Sequence, residues 1–373
     1  MKTPKIVIVG GGLAGLTAAI HLSKTGHKIT VFEKESYPHH KVCGEYLSAE
    51  VLPYLEYLKI PLEALNPVRI NRLQFSTVNG SSLDTELPMG GLGVSRYALD
   101  NLFFQTALEN GVEVLQEKVL QVSYEENGFK INTTAGNYSA YIVLGAYGKR
   151  SGLDRELERP FFKEPAPWVA VKSHFKNDTF PNDLVALHNF EGGYCGLSKT
   201  ESGAVNCCYL STYKSFKAAK DLDTHQKEVL QKNPFLKQFF EESEQLFKKP
   251  LTIAQISFSR KNAVQDHVLM LGDAAGLIHP LCGNGMAMAI HSAKLASESI
   301  INAFGSGTLD REVLEQQYTK KWNREFHRRL TAGKWLQKVL LNDSLAEMSQ
   351  KLISKMPFLL PAIIKQTHGK LVV

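Results

Sequence analysis

Apolar and polar positions near the start of the chain alternate in a way that predicts a strand, a helix and a second strand. An apolar run covers residues 5–9 and leads directly into a cluster of glycines. Apolar side chains then recur at helical spacing from Leu16 to Leu22, and this pattern stops at Gly26. A second β pattern covers residues 28–32 and ends on Glu33. This order of elements is typical of a βαβ unit with parallel strands.

The middle of the chain has a different pattern, in which short strands follow one another without helices between them. The predicted strands cover residues 168–175, 184–190, 194–199 and 204–211, and a hairpin turn is predicted at residues 201–203. Strands joined by short turns pair in antiparallel fashion, because a parallel crossover needs about a dozen residues or more. The sequence therefore predicts an antiparallel sheet inserted into an α/β fold.

The same helical and strand spacings of apolar residues predict further elements on either side of this sheet. Helices are predicted at residues 49–58, 96–110 after a capping Ser95, 212–231, 235–247 and 286–304. Strands are predicted at residues 73–78, 113–115, 118–124, 129–133, 141–144, 253–260 and 267–271, and a glycine-rich turn at 89–93. Beyond residue 310 the pattern is helical, with breaks at Pro357 and Pro361. The predicted fold class is α/β: a GxGxxG (Rossmann-like) domain, an inserted antiparallel-sheet domain and a helical C-terminal tail.

The glycines after the first strand indicate a turn that binds a dinucleotide. Their spacing is Gly-x-Gly-x-x-Gly: the first allows a tight turn, the second lets a pyrophosphate approach the backbone, and the third lets the helix pack on the strand. The N–H groups at the helix start favour bound phosphate, and the acid that ends the second strand is placed to accept ribose hydroxyls. The residues predicted to contact the cofactor here are Gly10, Gly12, Leu13, Ala14, Gly15, Glu33 and Lys34. The alternative is a βαβ turn that is rich in glycine for structural reasons alone.

Composition argues against several classes of protein but does not indicate which reaction an enzyme of this composition would catalyse. Of 373 residues, 43% are hydrophobic and 21% charged, as in a soluble enzyme of more than one domain. The net charge of +6 comes without a dense block of Lys and Arg, so nucleic acid is not an expected partner. No apolar run reaches the ~18 residues of a membrane span, and the early first strand leaves no room for a signal peptide, so we expect a cytoplasmic protein. Five cysteines without a Cys-x-x-Cys pair predict neither a disulfide framework nor a structural metal site.

Three motifs together resemble the FAD-dependent oxidoreductases of the para-hydroxybenzoate hydroxylase fold, which include aromatic monooxygenases, geranylgeranyl reductases and flavin halogenases. The motifs are the segment from Gly10 to Glu33, the segment Gly145-Ala146-Tyr147-Gly148, and Gly272-Asp273-Ala274-Ala275-Gly276 followed by Pro280 and Gly283-Asn284-Gly285. The resemblance covers residues 4 to about 305. Within the family, the segment Lys41-x-Cys43-Gly44-Glu45-x-Leu47-Ser48 is most similar to the Cys-Gly loop of the geranylgeranyl-reductase branch.

The chain also departs from the family pattern. The family's Asp-Gly motif would place an aspartate at position 147, where this chain has Tyr147. In the hydroxylases that aspartate serves both flavin and reduced nicotinamide, so we predict poor direct use of NADPH. The Trp-x-Trp signature of the halogenases and the aromatic-Trp-Phe-Pro segment of the reductases are both absent.

The resemblance implies non-covalent FAD and further residues that hold it. Asp273 would accept ribityl hydroxyls, the alternative being a helix N-cap. The helix start at residues 283–286 would face the N1–C2 carbonyl edge of the flavin, the alternative being only a turn with positive φ angles. Arg96 would reach a phosphate or ribose, the alternative being a solvated arginine in the first turn of a helix. The further residues are Lys41, Arg96, Gly272, Asp273, Pro280, Gly283, Asn284, Gly285 and Met286.

Two residues are candidates for a role in the chemistry. The thiol of Cys43 would lie near the flavin or the substrate, the alternative being a small apolar residue in a loop. His279 lies beside Pro280, after the strand that leads towards the isoalloxazine.

Three functions remain open on the sequence. The first is hydride or electron transfer through FAD to a small organic substrate, apolar or carrier-bound, with an external electron donor. The second is hydroxylation by an FAD-dependent monooxygenase, which needs the same fold. The third is non-catalytic electron transfer, which a substrate cavity of ~300 Å³ or more above the flavin would argue against.

The motifs divide the chain into three parts. The FAD-binding domain comprises residues 1–70, 94–160 and 250–305, the substrate domain comprises residues 71–93 and 161–249, and the C-terminal helices comprise residues 306–373. Trp322, Phe326 and Leu330 share one helical face of the tail, so its simplest interpretation is helices packed on the FAD-binding domain. The alternative is peripheral contact of the apolar residues 356–364 with a membrane or a carrier protein.

Overall fold

The computed structural model describes residues 5–279, 283–305, 309–340, 345, 348 and 369–373. Three features named above, which are Pro280, the breaks at Pro357 and Pro361, and the apolar residues 356–364, lie outside the described residues. Within the described part, none of the helices is both long and apolar enough to cross a membrane.

The structure contains strands and helices in the order that the periodicity predicts, with additions. The strands are β1 (Lys5–Val9), β2 (Lys28–Glu33), β3 (Tyr46–Ser48), β4 (Val68–Ser76), β5 (Ser82–Gly93), β6 (Glu113–Gln116), β7 (Val119–Glu125), β8 (Gly128–Thr133), β9 (Asn137–Ala140), β10 (Ile142–Gly145), β11 (Trp168–Lys176), β12 (Leu184–Phe190), β13 (Gly193–Lys199), β14 (Val205–Thr212), β15 (Glu244–Gln245), β16 (Leu251–Ile256), β17 (Val264–Gln265) and β18 (Val268–Met270). The α-helices are α1 (Leu13–Ser23), α2 (Leu52–Tyr57), α3 (Arg96–Glu109), α4 (Gly152–Glu156), α5 (Tyr213–Ala218), α6 (Leu222–Glu228), α7 (Pro234–Glu241), α8 (Gly285–Gly305) and α9 (Arg311–Leu340).

The first sheet carries the βαβ unit and is mostly parallel. Its strand order is β17-β18-β10-β1-β2-β6, and every neighbouring pair from β18 to β6 is parallel. Parallel strands end at one edge of a sheet, so the glycine turn after β1, Glu33 at the end of β2, and the segments after β10 and β18 all meet there. Ligands bind at this edge in open α/β sheets.

The second sheet contains nine strands and covers that edge. Its central order β11-β14-β13-β12 is antiparallel, as predicted. β12 then pairs in parallel with β4, which continues the sheet through β5 to β3, and β16 pairs with β11. The sheet therefore also draws on residues 46–48, 68–70 and 251–256, which the sequence grouped with the FAD-binding domain. A third sheet, β7-β8-β9, contains a strand that the sequence did not predict.

Three predicted elements differ from the structure. Residues 89–93 belong to β5 and are not a turn, and close packing explains two of the glycines there: a Cβ on Gly93 would lie 1.9 Å from the Lys199 carbonyl oxygen, and one on Gly91 would lie 2.5 Å from the Tyr46 ring. The long helices predicted at 212–231 and 235–247 are three short ones. The break between α5 and α6 follows from Lys220, which has a φ of 69°, and from Asp221, whose carboxylate caps α6 through the Thr224 N–H at 2.8 Å.

The hydrophobic core of the first part lies around β1, α1, α8 and α9. Trp322 and Phe326 on α9 are buried in it, and the Tyr318 hydroxyl donates to the Met270 carbonyl oxygen at 2.5 Å. This confirms the simpler interpretation of the start of the tail as a packed helix.

Candidate active site

A cavity of about 1170 Å³ lies between the edge of the first sheet and the face of the second. The predicted site residues that line it are Gly10, Gly12, Leu13, Ala14, Glu33, Lys34, Lys41, Cys43, Arg96, Gly272, Asp273, Gly283, Asn284, Gly285 and Met286. Gly15 and His279 are not among its lining residues. Most of the predicted site residues therefore lie on the wall of one cavity.

The glycine turn has the geometry that the spacing predicted. Gly10 has a φ of 106°, and a Cβ there would lie 2.5 Å from the Ala146 carbonyl oxygen. A Cβ on Gly15 would lie 2.0 Å from the Gly10 carbonyl oxygen, which explains why the helix can pack so closely. Gly12 differs, because its Cβ would meet only the Arg96 and Lys41 side-chain nitrogens, at 3.7 and 3.8 Å. Gly12 thus leaves a space beside two cations that a phosphate fits.

Arg96 and Lys41 are held by one buried carboxylate. Arg96 Nε and Nη2 donate to Asp100 at 2.6 and 2.8 Å, and Lys41 Nζ donates to it at 2.8 Å. Burial alone would raise the pKa of Asp100, but the charges of Arg96 and Lys41 outweigh it and hold that pKa below its ordinary value. The group carries one net positive charge beside Gly12. Arg96 is therefore fixed within the cavity wall, unlike the solvated arginine considered above.

Glu33 connects the glycine turn to the loop after β2. Its carboxylate accepts the N–H of Gly11 at 2.8 Å, that of Lys34 at 2.9 Å and that of Glu35 at 3.1 Å. The Tyr37 hydroxyl donates to the carbonyl oxygen of the same residue, Gly11. A carboxylate offers about four acceptor positions, so Glu33 keeps capacity for a ribose hydroxyl.

The segment after β18 faces the same cavity from the opposite side. Asp273 lines it within a short 3₁₀ turn, Gly272–Ala274, and its carboxylate caps no helix among the described residues. Lys261 Nζ donates to the Asp273 and Lys149 carbonyl oxygens at 2.7 and 2.6 Å, and burial lowers the pKa of Lys261 to about 8. The Gly272 N–H donates to Ser292 of α8 at 2.8 Å, which fixes this turn against the helix.

A buried cluster around Glu45, which sequence reasoning missed, joins the Cys43 loop to the second sheet. Glu45 has a φ of 54° and accepts the Arg96 N–H at 2.7 Å, the Lys172 ammonium group and His174 Nε2 at 2.7 Å. Burial would raise the pKa of Glu45, but His174 and Lys172 outweigh burial and keep it below its ordinary value. The available signal was the spacing of Lys172 and His174, which places both on one face of β11.

His40, Glu45 and His174 also lie close enough together to offer ligands to a metal ion. Lys172 is fully buried and already supplies Glu45 with the positive charge that a cation would bring. The geometry therefore favours an ion-pair cluster over a metal centre.

The two candidates for chemistry lie in different surroundings. Cys43 lines the cavity, and its Sγ accepts the Glu45 N–H at 3.5 Å. His279 is buried among Trp168, Tyr194 and Phe258, with ring centroids 6.4, 5.7 and 4.6 Å away. Burial lowers the pKa of His279 to about 3, so the ring is neutral near pH 7. A catalytic role for His279 stays a prediction.

Tyr147 occupies the position of the family's aspartate. It lines the cavity, and its hydroxyl lies 3.4 Å from Met270 Sδ and 3.4 Å from Arg159 Nη1. Burial raises the pKa of Tyr147 far above its ordinary value, so this position carries no negative charge. Arg159 is itself buried and is paired with Asp154 at 2.9 Å.

The far end of the cavity is apolar. It is lined by Leu73 and Phe75 of β4, Leu83 and Leu87 of β5, Val185 and Leu187 of β12, Leu251, Ile253 and Ile256 of β16, and Trp335, Leu336 and Val339 of α9. The side chain of Trp335 is 62% exposed, so the end of α9 forms part of the cavity rim. Sequence reasoning found none of these residues, because they come from four separated segments.

Comparisons with known proteins agree with this architecture. The NAD(P)-binding Rossmann-like domain family matches residues 8–40. The flavin-dependent halogenase CmlS superposes with a TM-score of 0.74 and 20% identity over 89% of this chain, which spans 64% of that longer protein. A geranylgeranyl bacteriochlorophyll reductase-like protein from Thermoplasma acidophilum gives a TM-score of 0.76 and 21% identity, over 93% of this chain and 90% of that one. This chain has the fold of these flavoproteins. The predicted fold class and resemblance are thereby confirmed.

Curated relatives match most of this chain at low sequence identity. Conditioned medium factor receptor 1 of Dictyostelium discoideum is 22% identical, over 93% of this chain and 73% of its own length. Menaquinone reductase of Mycobacterium tuberculosis is 23% identical, over 79% of this chain and 75% of its own length. Digeranylgeranylglycerophospholipid reductase 2 of Methanothermobacter thermautotrophicus is 24% identical, over 90% of this chain and 87% of its own length.

Proposed function

We propose that this flavoprotein-fold chain is an FAD-dependent oxidoreductase that transfers hydride or electrons to an apolar organic substrate. The observation that carries the proposal is the single cavity that joins the nucleotide-binding turn to the apolar face of the second sheet. Its volume of about 1170 Å³ is above the ~300–1,000 Å³ usual for one ligand, so it has room for a cofactor and a substrate. A protein that only carried electrons would not need the apolar end.

The residues at the polar end fit FAD in kind and in position. The space at Gly12, beside Arg96 and Lys41, suits the pyrophosphate, and Glu33 suits the ribose of the adenosine. Asp273 on the opposite wall suits the ribityl hydroxyls, and the start of α8 suits the pyrimidine edge of the flavin. Flavin would supply the redox chemistry, while these residues bind and orient it and the second sheet keeps water away.

An isoprenoid chain is the substrate class that best matches the apolar end. Menaquinone and digeranylgeranylglycerophospholipids, named in the descriptions of two relatives, both carry such chains. The apolar cavity walls from β4, β5, β12 and β16 would bury a chain of this kind without unpaired polar groups. Hydroxylation by a monooxygenase needs the same cofactor, but no contact in the cavity favours it.

Two further parts of the proposal concern partners. Tyr147 leaves no carboxylate at the position that serves reduced nicotinamide in the hydroxylases, which favours a donor other than NADPH. The exposed Trp335 at the cavity rim lies on the helix that leads to the basic and apolar tail, which is consistent with contact at a membrane surface or a carrier. Flotation with anionic liposomes, comparing the full chain with one that ends at Lys355, tests that contact.

The deciding experiment is anaerobic reduction followed by substrate addition. The purified protein should be yellow, with one non-covalent FAD per chain, and should be reduced slowly by NADPH compared with reduced ferredoxin or dithionite. Mixing the reduced protein with menaquinone or a geranylgeranyl lipid should reoxidise the flavin without oxygen. A protein that lacks flavin, or one that consumes oxygen in step with hydroxylated product, would contradict the proposal.

A further inference from the structure

Another buried carboxylate, Glu50, lies behind the end of α8 that lines the cavity. Glu50 is fully buried, and three separate parts of the chain donate to its side chain. Arg329 of α9 donates to Oε1 at 3.0 Å, while Asn284 Nδ2 and the Gly369 N–H donate to Oε2 at 3.2 and 2.6 Å. We call these four residues the Glu50 cluster.

Residues 369–373 pack against this cluster and form hydrogen bonds to it. The Val372 N–H donates to the Glu50 carbonyl oxygen at 2.8 Å, and the Val372 side chain is buried in the main core. A Cβ on Gly369 would lie 1.6 Å from Arg329 Nη2, so only glycine fits against the guanidinium. The C-terminal residues therefore shield the Glu50–Arg329 pair from water.

Asn284 connects the cluster to the cavity. It is buried, it precedes the first residue of α8, and its carbonyl oxygen accepts the Met288 N–H at 2.9 Å in the first helical turn. Gly283, Gly285 and Met286 around it line the cavity, as Asn284 itself does. The Glu50 carboxylate is thus separated from the cavity wall by a single side chain.

From this arrangement we infer that the Glu50–Arg329 pair sets the reduction potential of the bound flavin, acting through Asn284 at the start of α8. The inference rests on the proposed function, because it needs flavin in the cavity. Negative charge grows on the N1–C2 edge of a flavin when it is reduced, and buried charges interact more strongly than exposed ones. Glu50 therefore disfavours the reduced form, and Arg329 favours it.

Two titratable side chains next to this pair are neutral near pH 7. Burial, with the charge of Arg329, lowers the pKa of His291 to about 4, so that ring is neutral near pH 7. Burial raises the pKa of Tyr46 well above its ordinary value, so its hydroxyl also stays neutral. Glu50 and Arg329 are accordingly positioning residues, and their charges act on the reduction potential in opposite directions.

The test measures the midpoint potential of the FAD-loaded protein by dye equilibration in three variants. Glu50→Gln should raise the potential, because a negative charge is lost, and Arg329→Met should lower it, because a positive charge is lost. Breaking a buried pair destabilises a protein, so the double variant E50Q/R329M serves as the folded reference, with a potential returned towards that of the wild type. The exposed pair Arg72–Asp183 is the control: Arg72→Met changes the charge equally and should leave the potential unchanged, since water and salt screen it.

Removal of the last five residues gives an independent readout. A chain that ends at His368 loses the Gly369 N–H that donates to Glu50, so the negative charge of Glu50 is less well compensated and the midpoint potential of the bound FAD should fall. Shifts of the potential in the same direction for E50Q and R329M, or no shift in either with FAD still bound, would overturn the inference. A wild-type protein without flavin would instead overturn the proposed function.

Discussion

The two ends of the cavity are built on different physical principles. The end at the first sheet consists of backbone turns and paired charges, such as the space at Gly12 and the Arg96–Asp100–Lys41 group. The end at the second sheet consists of apolar side chains from four segments, with Leu187 and Ile253 as examples. The first kind of site selects its ligand by the geometry of hydrogen bonds and charge, and the second kind by shape and apolar area. A substitution at one end should therefore leave the other end working.

The Glu45 cluster lies where the two ends meet. Glu45 accepts a backbone N–H from Arg96 at the polar end and side-chain donors from Lys172 and His174 of the second sheet. Glu45 is thus one of the groups that hold the second sheet over the edge of the first sheet. Variants at the two ends and at this junction should give three distinct phenotypes.

Gly12→Val should have the largest effect and should separate cofactor binding from folding. Gly12 has a φ of −84°, which valine adopts without strain, and the nearest atoms to a Cβ are 3.7 Å away, so the chain should fold. The branched side chain would occupy the phosphate space and abolish FAD binding, which absorbance at purification measures. Gly136→Val, where a Cβ meets nothing within 4 Å and which is not among the residues that line the cavity, is the matched control. Retention of FAD at wild-type stoichiometry would contradict the phosphate assignment.

Glu45→Gln should have the next largest effect, on the stability of the whole fold. It leaves the fully buried Lys172 ammonium group without its partner, which costs about 3–5 kcal/mol. Denaturant unfolding measures this loss, and the double variant Glu45→Gln/Lys172→Met should recover most of it. An unchanged unfolding midpoint in the single variant would show that the junction is not needed.

The same pair predicts a pH dependence with a defined sign. The native pKa of Glu45 is lowered, so its contribution is fully present above the ordinary glutamate pKa and is lost as the pH falls through the lowered native value. Wild-type stability should therefore fall more steeply on acidification than that of Glu45→Gln.

Asp273→Ala should weaken FAD binding by about 1.5–3 kcal/mol, the range for hydrogen bonds to a charged group. Asp273→Asn, which keeps one acceptor oxygen, should lose less, and both variants should unfold like the wild type because Asp273 caps no helix among the described residues. Fluorescence titration of the apoprotein with FAD measures the difference. Equal affinities in all three proteins would remove Asp273 from the cofactor site.

Leu187→Asn should have the smallest effect and should act only at the apolar end. It places an amide where the substrate chain would lie, so the KM for an isoprenoid substrate should rise about tenfold, the equivalent of ~1.4 kcal/mol. FAD affinity should not change, and Leu187→Met, which keeps the volume, should behave like the wild type. A parallel loss of FAD would show that the two ends are not separable.

Local patterns in the sequence accounted for the polar end of the cavity. The strand, glycine turn, helix and acid lie within the first 33 residues. The close approach of Gly15 to the Gly10 carbonyl oxygen is a contact inside that unit, whereas Gly10 itself packs against Ala146. Periodicity likewise predicted the four central strands of the second sheet. It failed at residues 89–93, where the glycines serve close packing with Tyr46 and Lys199, since such contacts leave no local pattern.

Tertiary structure alone decided the apolar end and the two buried carboxylate clusters. Glu45 meets His174 across 129 positions of sequence, and Glu50 meets Gly369 across 319. Alternation along β12 says that Val185 and Leu187 share a face, but only the packing of the second sheet over the first shows that this face lines the cavity. The spacing of apolar residues reflects local secondary structure. The partner of a buried charge depends on which distant segments pack together in the folded chain.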